Sequence, residues 1–177
     1  MARRRINRGV ACSTNALIPH VSMRKFLLDT GIVLGYARSA GYADYVDKKF
    51  DIFLNTPLVS VVSKGEIYSL AIQRNWGSNK LKLLDELLRK LPSVDINDDQ
   101  IIRRYAEIDA YSLGKNSAKP LPKGQTARQM GKNDLWIAAT ASVLKATLIT
   151  TDHDFDHLDK VFLEVVYIDP KLTASDV

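Results

Sequence analysis

The chain has 177 residues, of which 46% are hydrophobic and 25% charged, a balance typical of one soluble globular domain. No apolar run reaches the roughly 18 residues of a membrane-spanning helix. The single cysteine, Cys12, excludes an internal disulfide and a cysteine-rich zinc site, and it fits a reducing, cytoplasmic compartment. The formal net charge is +5, and four arginines near the amino terminus account for all but +1 of it.

The composition of residues 1–22 predicts a basic, flexible leader. It contains no acid and no hydrophobic period, and its four arginines are Arg3, Arg4, Arg5 and Arg8. Polar residues interrupt its apolar stretch too often for a secretory signal. A transit peptide, an alternative start at Met23 and an arm that contacts RNA remain open. We expect the domain to span 23–170, with a tail at 171–177.

From residue 23 onward, short apolar runs alternate with helical patterns. Strands are predicted at Lys25–Leu28, Pro57–Val62, Pro92–Ile96, Thr147–Thr151 and Glu164–Ile168. Helices are predicted at Ile32–Tyr36, Tyr42–Leu54, Ser63–Asn75, Asn79–Leu91, Asp98–Leu113 and Asn133–Leu144, with a helical turn at Phe155–Leu158. A polar loop separates the last two helices at 114–132. This alternation predicts an α/β fold whose mostly parallel sheet is covered on both faces.

Four acids are placed where such a sheet has its working cleft, off the carboxyl ends of the strands. Asp29 closes the first strand, and Glu66 is predicted in the first turn of the helix after the second strand. Asp134 opens the Ala-rich helix after a plausible N-cap at Asn133. Asp152 closes the fourth strand, and Asp154 follows two residues later.

Each acid also has a structural explanation when it is taken singly. Ser63 and Glu66 form the pattern of a capping box, and aspartates suit the starts of helices and turns. Four neighbouring carboxylates, however, repel one another and persist best when a divalent cation neutralises them. Oxygen ligands suit Mg²⁺ or Mn²⁺, and the chemistry that such a centre supports is phosphodiester hydrolysis.

A basic stretch of the polar loop leads directly into Asp134. Its cations, with no acid among them, are Lys115, Lys119, Lys123, Arg128 and Lys132. A polyanionic substrate needs positive charge around an acidic centre, so Lys119, Lys123, Arg128 and Lys132 are candidates for binding flanking phosphates. The alternative is a solvated surface loop.

Four stretches of the chain resemble, in order and spacing, the motifs of PIN-domain proteins, and most closely the VapC-type toxins of toxin–antitoxin pairs. They are Leu27–Thr30, Ser60–Ile67, Gly131–Ala139 and Leu148–Phe155. The resemblance covers about Met23 to Ile168. The basic leader and the long loop from Gly114 to Gly131 depart from the simplest pattern of the family.

This resemblance implies a three-layer α/β/α fold with a central sheet of four to five strands, and an Mg²⁺- or Mn²⁺-dependent endoribonuclease. It carries Asp29, Glu66, Asp134 and Asp152 over as the catalytic, metal-binding quartet, with Asp154 as a possible fifth acid. The residues that would orient carboxylates or water are Thr30, Asn133 and Thr150 or Thr151. The implied partners are an RNA substrate, a small antitoxin and a second copy of the chain.

Other functions fit the residues less well. The triplet Asp29-Thr30-Gly31 also occurs in aspartic proteases, but those are all-β and need two such aspartates. Phosphatases and phospho-receiver domains with an aspartate after the first strand need further acids that are missing here. A PIN-like module that binds RNA or protein without cutting is the remaining alternative. His153 and His157 are expected to be exposed turn residues, and His20 lies in the leader.

Overall fold

The structure is a computed structural model that describes residues 23–172. The predicted leader at 1–22 and residues 173–177 of the predicted tail lie outside the described residues. The strands are β1 (Lys25–Leu28), β2 (Thr56–Ser60), β3 (Ser93–Val94), β4 (Thr147–Thr150) and β5 (Glu164–Tyr167). The helices are α1 (Thr30–Arg38), α2 (Ala40–Phe50), α3 (Val61–Gln73), α4 (Ser78–Lys90), α5 (Asp99–Ser112) and α6 (Lys132–Leu144), with short 3₁₀ helices at Ile52–Leu54 and His153–Leu158.

The five strands form one parallel sheet in the order β3-β2-β1-β4-β5. Leu28, the last residue of β1, stands opposite Val59 of β2 and Ile149 of β4. The chain first builds the sheet from β1 toward β3 and later adds β4 and β5 on the other side of β1. The strand order therefore reverses between β1 and β4, which is where open α/β sheets form a crevice at their carboxyl ends.

Alternate side chains of β1 enter two separate hydrophobic cores, one on each face of the sheet. Leu27 joins a core with Ile108 of α5 and Leu135 of α6. Phe26 and Leu28 join the other core, whose main helical contributors are Ile32, Val33, Tyr42, Val46, Ile67 and Leu84 of α1 to α4. The predicted α/β/α layering with a parallel sheet is thus confirmed. Within residues 23–172, no helix has the length and apolar character to span a membrane.

Helices α3 and α6 begin earlier than the sequence suggested, and each difference changes the place of a site residue within its helix. Strand β2 ends at Ser60, whose hydroxyl accepts a hydrogen bond from the backbone N–H of Val62 at 3.2 Å and caps α3. Val61 and Val62 therefore begin the helix instead of ending the strand. The prediction that Glu66 lies in the first turn is therefore wrong, because Glu66 lies in the second turn, and the alternative of a capping box with Ser63 does not apply.

The N-cap of α6 is Gly131, not Asn133 as the sequence suggested. Asparagine is a favoured N-cap residue, which is why the sequence pattern pointed to Asn133. Because the helix begins at Lys132, the amide of Asn133 is not needed for capping and can contact another helix. Asp134 lies in the first turn, where a carboxylate interacts favourably with the helix dipole.

Gly35 lets α1 and α2 approach each other closely. An added Cβ would lie 2.3 Å from Cε1 of the buried Tyr42 ring. We expect Gly35→Ala to lower the free energy of unfolding by about 1–3 kcal/mol through overpacking. Gly65→Ala is the matched control, because no atom lies within 4 Å of its added Cβ and alanine favours a helix. Chemical denaturation of both variants checks this, and an unaffected Gly35→Ala would contradict the close packing.

Candidate active site

The centre of the site is Asp29, the first residue after β1. Its carboxylate accepts hydrogen bonds from the backbone N–H of Thr30 and from the hydroxyl of Thr150, both at 2.7 Å. The first bond caps α1, and the second ties the end of β1 to the end of β4. Asp29 is only 6% exposed, so two bonds and a tight environment fix the orientation of its carboxylate.

Thr150 connects Asp29 to the backbone that carries Asp152. Its hydroxyl donates to Asp29 and accepts from the N–H of Asp152 at 3.0 Å. Asp152 itself is exposed and caps the short 3₁₀ helix by accepting from the N–H of Asp154 at 2.9 Å. Asp152 and Asp154 therefore stand at the rim of the site, on the solvent side of Asp29.

Glu66 joins three helices at the site. One carboxylate oxygen accepts a hydrogen bond from the hydroxyl of Thr30, and the other accepts from the side-chain amide of Asn133 at 2.7 Å. These contacts link α3 to the start of α1 and to the first turn of α6. Because Asn133 is free of the capping role, its side chain can reach Glu66.

Asp134 completes the cluster from α6. Burial raises the pKa of Asp134 to about 6, and the charges of Asp29, Glu66, Asp152 and Asp154 act in the same direction. The pKa of Asp29 is also raised to about 6, chiefly by burial, with its two hydrogen bonds opposing the rise. The mutual effect of these charges shows that the four predicted acids, with Asp154, are electrostatic neighbours.

The donor set consists of oxygen atoms alone and fits a hard divalent cation. Among residues 23–172, no three Asp, Glu, His or Cys side chains are close enough to enclose an ion by themselves. Glu66 and Asp29 are each held by hydrogen bonds instead of pointing at a common centre. Such an open arrangement suits Mg²⁺, which keeps several waters and needs only one or two carboxylates.

A cleft of about 610 Å³ extends from Glu66 along α3 and α6. Its wall combines the polar groups Thr30, Glu66 and Asn133 with the apolar side chains of Leu70, Ile96 and Trp136. Trp136 is half-buried and packs on Tyr105, with the ring centroids 4.3 Å apart. The cleft gives an extended ligand access to the acids from the side of α3.

Thr151 does not contact the carboxylates, unlike Thr150. It packs against Gly31, where an added Cβ would lie 2.2 Å from the Thr151 hydroxyl oxygen. Both residues line a second, smaller pocket. Of the residues expected to orient the acids, the structure thus brings Thr30, Asn133 and Thr150 into contact with them.

The long loop between α5 and α6 is anchored at both ends. The backbone N–H of Arg128 donates to the carbonyl of Ser112 at 2.8 Å, and Met130 is buried. The ammonium of Lys119 donates to the carbonyl of Val161 at 3.2 Å and lies 4.3 Å from the centre of the Phe162 ring. Lys123, Arg128 and Lys132 are exposed, so their charges face solvent near the start of α6.

The expectation that His157 is an exposed turn residue is wrong. His157 is 8% exposed, stacks on Tyr111 and pairs its Nε2 with the hydroxyl of Ser112 at 2.8 Å. Burial and the charge of Arg128 lower its pKa, so the ring is neutral at pH 7. His153, by contrast, is exposed and pairs with Asp156. Only a helical interpretation from His153 onward would have shown that His157 lies on the inner face.

Comparison with known proteins agrees with this geometry. A family model described as "PIN domain" matches residues 26–161. No curated protein matches the sequence. VapBC2 of Rickettsia felis, solved with a promoter DNA fragment, is 21% identical, with 82% of this chain and 99% of that chain covered and a TM-score of 0.60. DNA-bound VapBC of Salmonella typhimurium is 17% identical, with 82% and 98% covered and a TM-score of 0.62.

A third similar structure is FitAcB of Neisseria gonorrhoeae. It is 19% identical, with 83% of this chain and 99% of that chain covered and a TM-score of 0.56. At these identities the likeness concerns the fold. The matched region includes all four acids of the site.

Proposed function

Since the chain belongs to the PIN-domain family, we propose that it is a divalent-metal-dependent endoribonuclease and the toxin of a toxin–antitoxin pair. The observation that carries the nuclease proposal is the cluster of acids that meets where the strand order reverses. Burial and mutual repulsion raise the pKa of both Asp29 and Asp134 to about 6. A purely structural role would not require carboxylates to be collected at such an electrostatic cost.

In this proposal, Asp29, Glu66, Asp134 and Asp152 would hold Mg²⁺ or Mn²⁺ together, one or two carboxylates directly and the others through waters of the ion. The ion would supply an activated water and neutralise the charge that develops on the phosphate. The chain's own contribution is orientation: Thr150 and the N–H of Thr30 fix the carboxylate of Asp29. The Thr30 hydroxyl and the Asn133 amide fix both oxygens of Glu66. Asp154 adds a further negative charge beside Asp134.

The proposed biological role is that of a cytoplasmic toxin. The similar solved structures include VapBC and FitAcB, and the Mycobacterium tuberculosis VapBC-5 is described as a member of a family of toxin–antitoxin systems. We propose that a small antitoxin binds this chain and that two copies form a dimer. Either partner would cover surface that is exposed in the single chain.

The long loop provides a test of substrate binding. We expect Lys123→Gln to weaken RNA binding, because Lys123 is exposed, whereas Lys119 is held by Val161 and Phe162. Lys119→Gln should lower the melting temperature more than Lys123→Gln does. Neutralising Lys119, Lys123 and Arg128 together should reduce the slope of log affinity against log salt by about 0.7 for each RNA phosphate that the loop no longer neutralises. Titrations at several salt concentrations check this, and an unchanged slope would remove the loop from the substrate path.

Induced expression in a bacterial host tests the function as a whole. We expect growth arrest with discrete new 5′ ends in cellular RNA, and neither effect from the Asp134→Asn variant expressed at the same level. Co-expression of the cognate antitoxin should restore growth. Growth arrest without new RNA ends would instead favour a module that binds RNA or protein without cutting.

A further inference from the structure

A pocket of about 270 Å³ lies next to the acidic site and collects cations that the sequence analysis did not connect. Its wall includes Tyr42, Trp76 and the cations Arg38, Arg74 and Lys80, and none of its lining residues is an acid. The three cations come from the end of α1, the residue after α3 and the first turn of α4. We call it the Trp76 pocket.

The cations of the Trp76 pocket are available to a ligand. Arg38, Arg74 and Lys80 are exposed, and none of them forms an ion pair with a carboxylate of residues 23–172. One guanidinium nitrogen of Arg38 donates to the carbonyl of Pro170 at 2.6 Å, which holds the side chain in place. The ammonium of Lys80 lies 3.6 Å from the centre of the Trp76 ring, so it is also held at the pocket wall.

A buried hydroxyl at this pocket has no partner. Tyr42 is 1% exposed, and its hydroxyl makes no hydrogen bond with any described residue. Burial raises the pKa of Tyr42 to about 12, and the nearby charge of Arg38 opposes the rise. The phenol therefore remains a neutral donor at pH 7. Leaving such a group unpaired is costly. Because Tyr42 is one of the residues that line the basic pocket, we infer that its hydroxyl meets an acceptor that a ligand brings.

The start of α4 adds to the same preference. Its N-cap, Gly77, offers no side chain to the first backbone N–H groups, and its first turn contains no acid. An uncapped helix start next to three cations favours an anion. Within the described part of the chain, Asp169 is the acid whose charge helps to raise the pKa of Tyr42. Its carboxylate already accepts a hydrogen bond from the backbone N–H of Lys171 at 2.8 Å.

The position of the pocket suggests which anion it accepts. Thr30 contacts Glu66 and Thr150 contacts Asp29, while the next residues, Gly31 and Thr151, line the Trp76 pocket. The Trp76 pocket thus adjoins the residues that hold the acids. An RNA strand crossing the acids would place a neighbouring phosphate at this pocket.

We propose that the Trp76 pocket binds a phosphate group of the RNA substrate next to the bond that is cut, with Arg38, Arg74 and the Tyr42 hydroxyl as its main donors. This inference rests on the proposed ribonuclease function. The phosphate comes either from within the RNA chain or from its 5′ end.

Binding in EDTA tests the pocket without cleavage. The probe is a ten-nucleotide single-stranded RNA labelled at its 3′ end, prepared with a 5′ hydroxyl or a 5′ phosphate, and inorganic phosphate is titrated separately. We expect Arg38→Gln and Arg74→Gln each to weaken RNA binding about tenfold, the effect of losing a charge-assisted hydrogen bond. Arg103→Gln is the matched control, because Arg103 is an exposed cation on α5.

Tyr42→Phe separates ligand binding from packing. It removes only the unpaired hydroxyl, so the melting temperature should be unchanged or higher. RNA affinity should nevertheless fall several-fold if the hydroxyl donates to phosphate. An equal loss with both RNA probes identifies a phosphate within the chain, and a loss with the 5′-phosphorylated probe alone identifies the terminal phosphate.

The proposal is overturned if the pocket variants bind both RNA probes and inorganic phosphate as the unaltered protein does. It is also overturned if only the affinity for a polyglutamate peptide falls, because the cations would then serve a protein partner. If the unaltered protein cuts RNA in Mg²⁺ but the pocket variants bind RNA as tightly as it does, this inference fails and the proposed function stands. A protein that binds inorganic phosphate here but neither binds nor cuts RNA contradicts the proposed function, and with it the assignment of this phosphate to RNA.

Discussion

Asp134→Asn and Asp29→Asn are each expected to slow RNA cleavage by about a thousandfold, equivalent to roughly 4 kcal/mol of transition-state stabilisation. The fold should survive both changes. An asparagine at 29 keeps an oxygen that can accept from the N–H of Thr30, and Asp134 is only partly buried on the first turn of α6. Single-turnover cleavage of one defined RNA measures the effect, and circular dichroism checks the fold.

Asp44→Asn is the matched control for these variants. Asp44 is an exposed carboxylate of α2, outside the acid cluster, and its loss should leave the cleavage rate unchanged. If either site variant cleaves RNA within tenfold of the unaltered rate, that acid is not part of the catalytic centre. A loss of activity together with a loss of helical signal would instead favour a structural role for the carboxylate.

The acid cluster should make the metal-free protein less stable as the pH rises from about 4 to about 6. The folded forms of Asp29 and Asp134 have pKa values raised to about 6 from 3.8, so over this window they keep protons that the unfolded chain has lost. Stability falls with pH wherever the folded state binds more protons. For the buried Asp29, the rise in pH through this window lowers the free energy of unfolding by about 3 kcal/mol in total.

Asp134→Asn isolates one part of this effect. In EDTA at pH 7.5, we expect the free energy of unfolding of Asp134→Asn to exceed that of the unaltered protein by about 1–2 kcal/mol, after allowance for the partial exposure of Asp134. For a chain of this size that is about 2–8 °C in melting temperature. The difference should vanish below about pH 4, where the carboxyl group of Asp134 becomes protonated in the folded and in the unfolded chain. Mg²⁺ should raise the melting temperature of the unaltered protein more than that of Asp134→Asn.

Thermal melts over this pH range, with and without Mg²⁺, test the prediction, and Asp44→Asn again serves as control. A melting temperature for Asp134→Asn that is several degrees below the unaltered protein in EDTA would contradict it. Such a result would mean that the carboxylate stabilises the start of α6 more than its neighbours repel it.

The layered fold and the neighbourhood of the acids could be predicted because they follow from patterns within single segments. Short runs rich in apolar residues mark β1, β2, β4 and β5, whereas β3 has only two residues. The acids that follow β1 and β4 reach one crevice once the sheet is parallel. The resemblance to PIN-domain proteins, and no local pattern, pointed to Thr30 and Asn133 as residues that orient the acids, and both contact Glu66. Their catalytic roles stay predictions.

The helix starts at Ser60 and Gly131 were harder to predict, because several polar residues in each stretch can cap a helix. Ser63 resembles a cap but is buried inside α3, and its hydroxyl has no partner among the described residues. The choice between neighbouring caps depends on how the helix packs, which a single segment does not determine.

The contacts that join distant parts of the chain have no local signal in the sequence. His157 is buried because Ser112 and Tyr111 of α5 receive it, and nothing near residue 157 indicates this contact. The Trp76 pocket likewise combines α1, the region after α3 and α4. Its cations are separated along the chain by neutral and acidic residues, so no basic run marks them.

The most direct test of the central claim is the initial rate of RNA cleavage by the purified protein as free Mg²⁺ is raised from zero in an EDTA buffer. The acid cluster predicts no cleavage without the ion, a rate that saturates with Mg²⁺, and support by Mn²⁺ as well. Asp134→Asn should show no comparable rate at any concentration. Cleavage of the same RNA at an equal rate in EDTA would contradict a metal-dependent acidic centre.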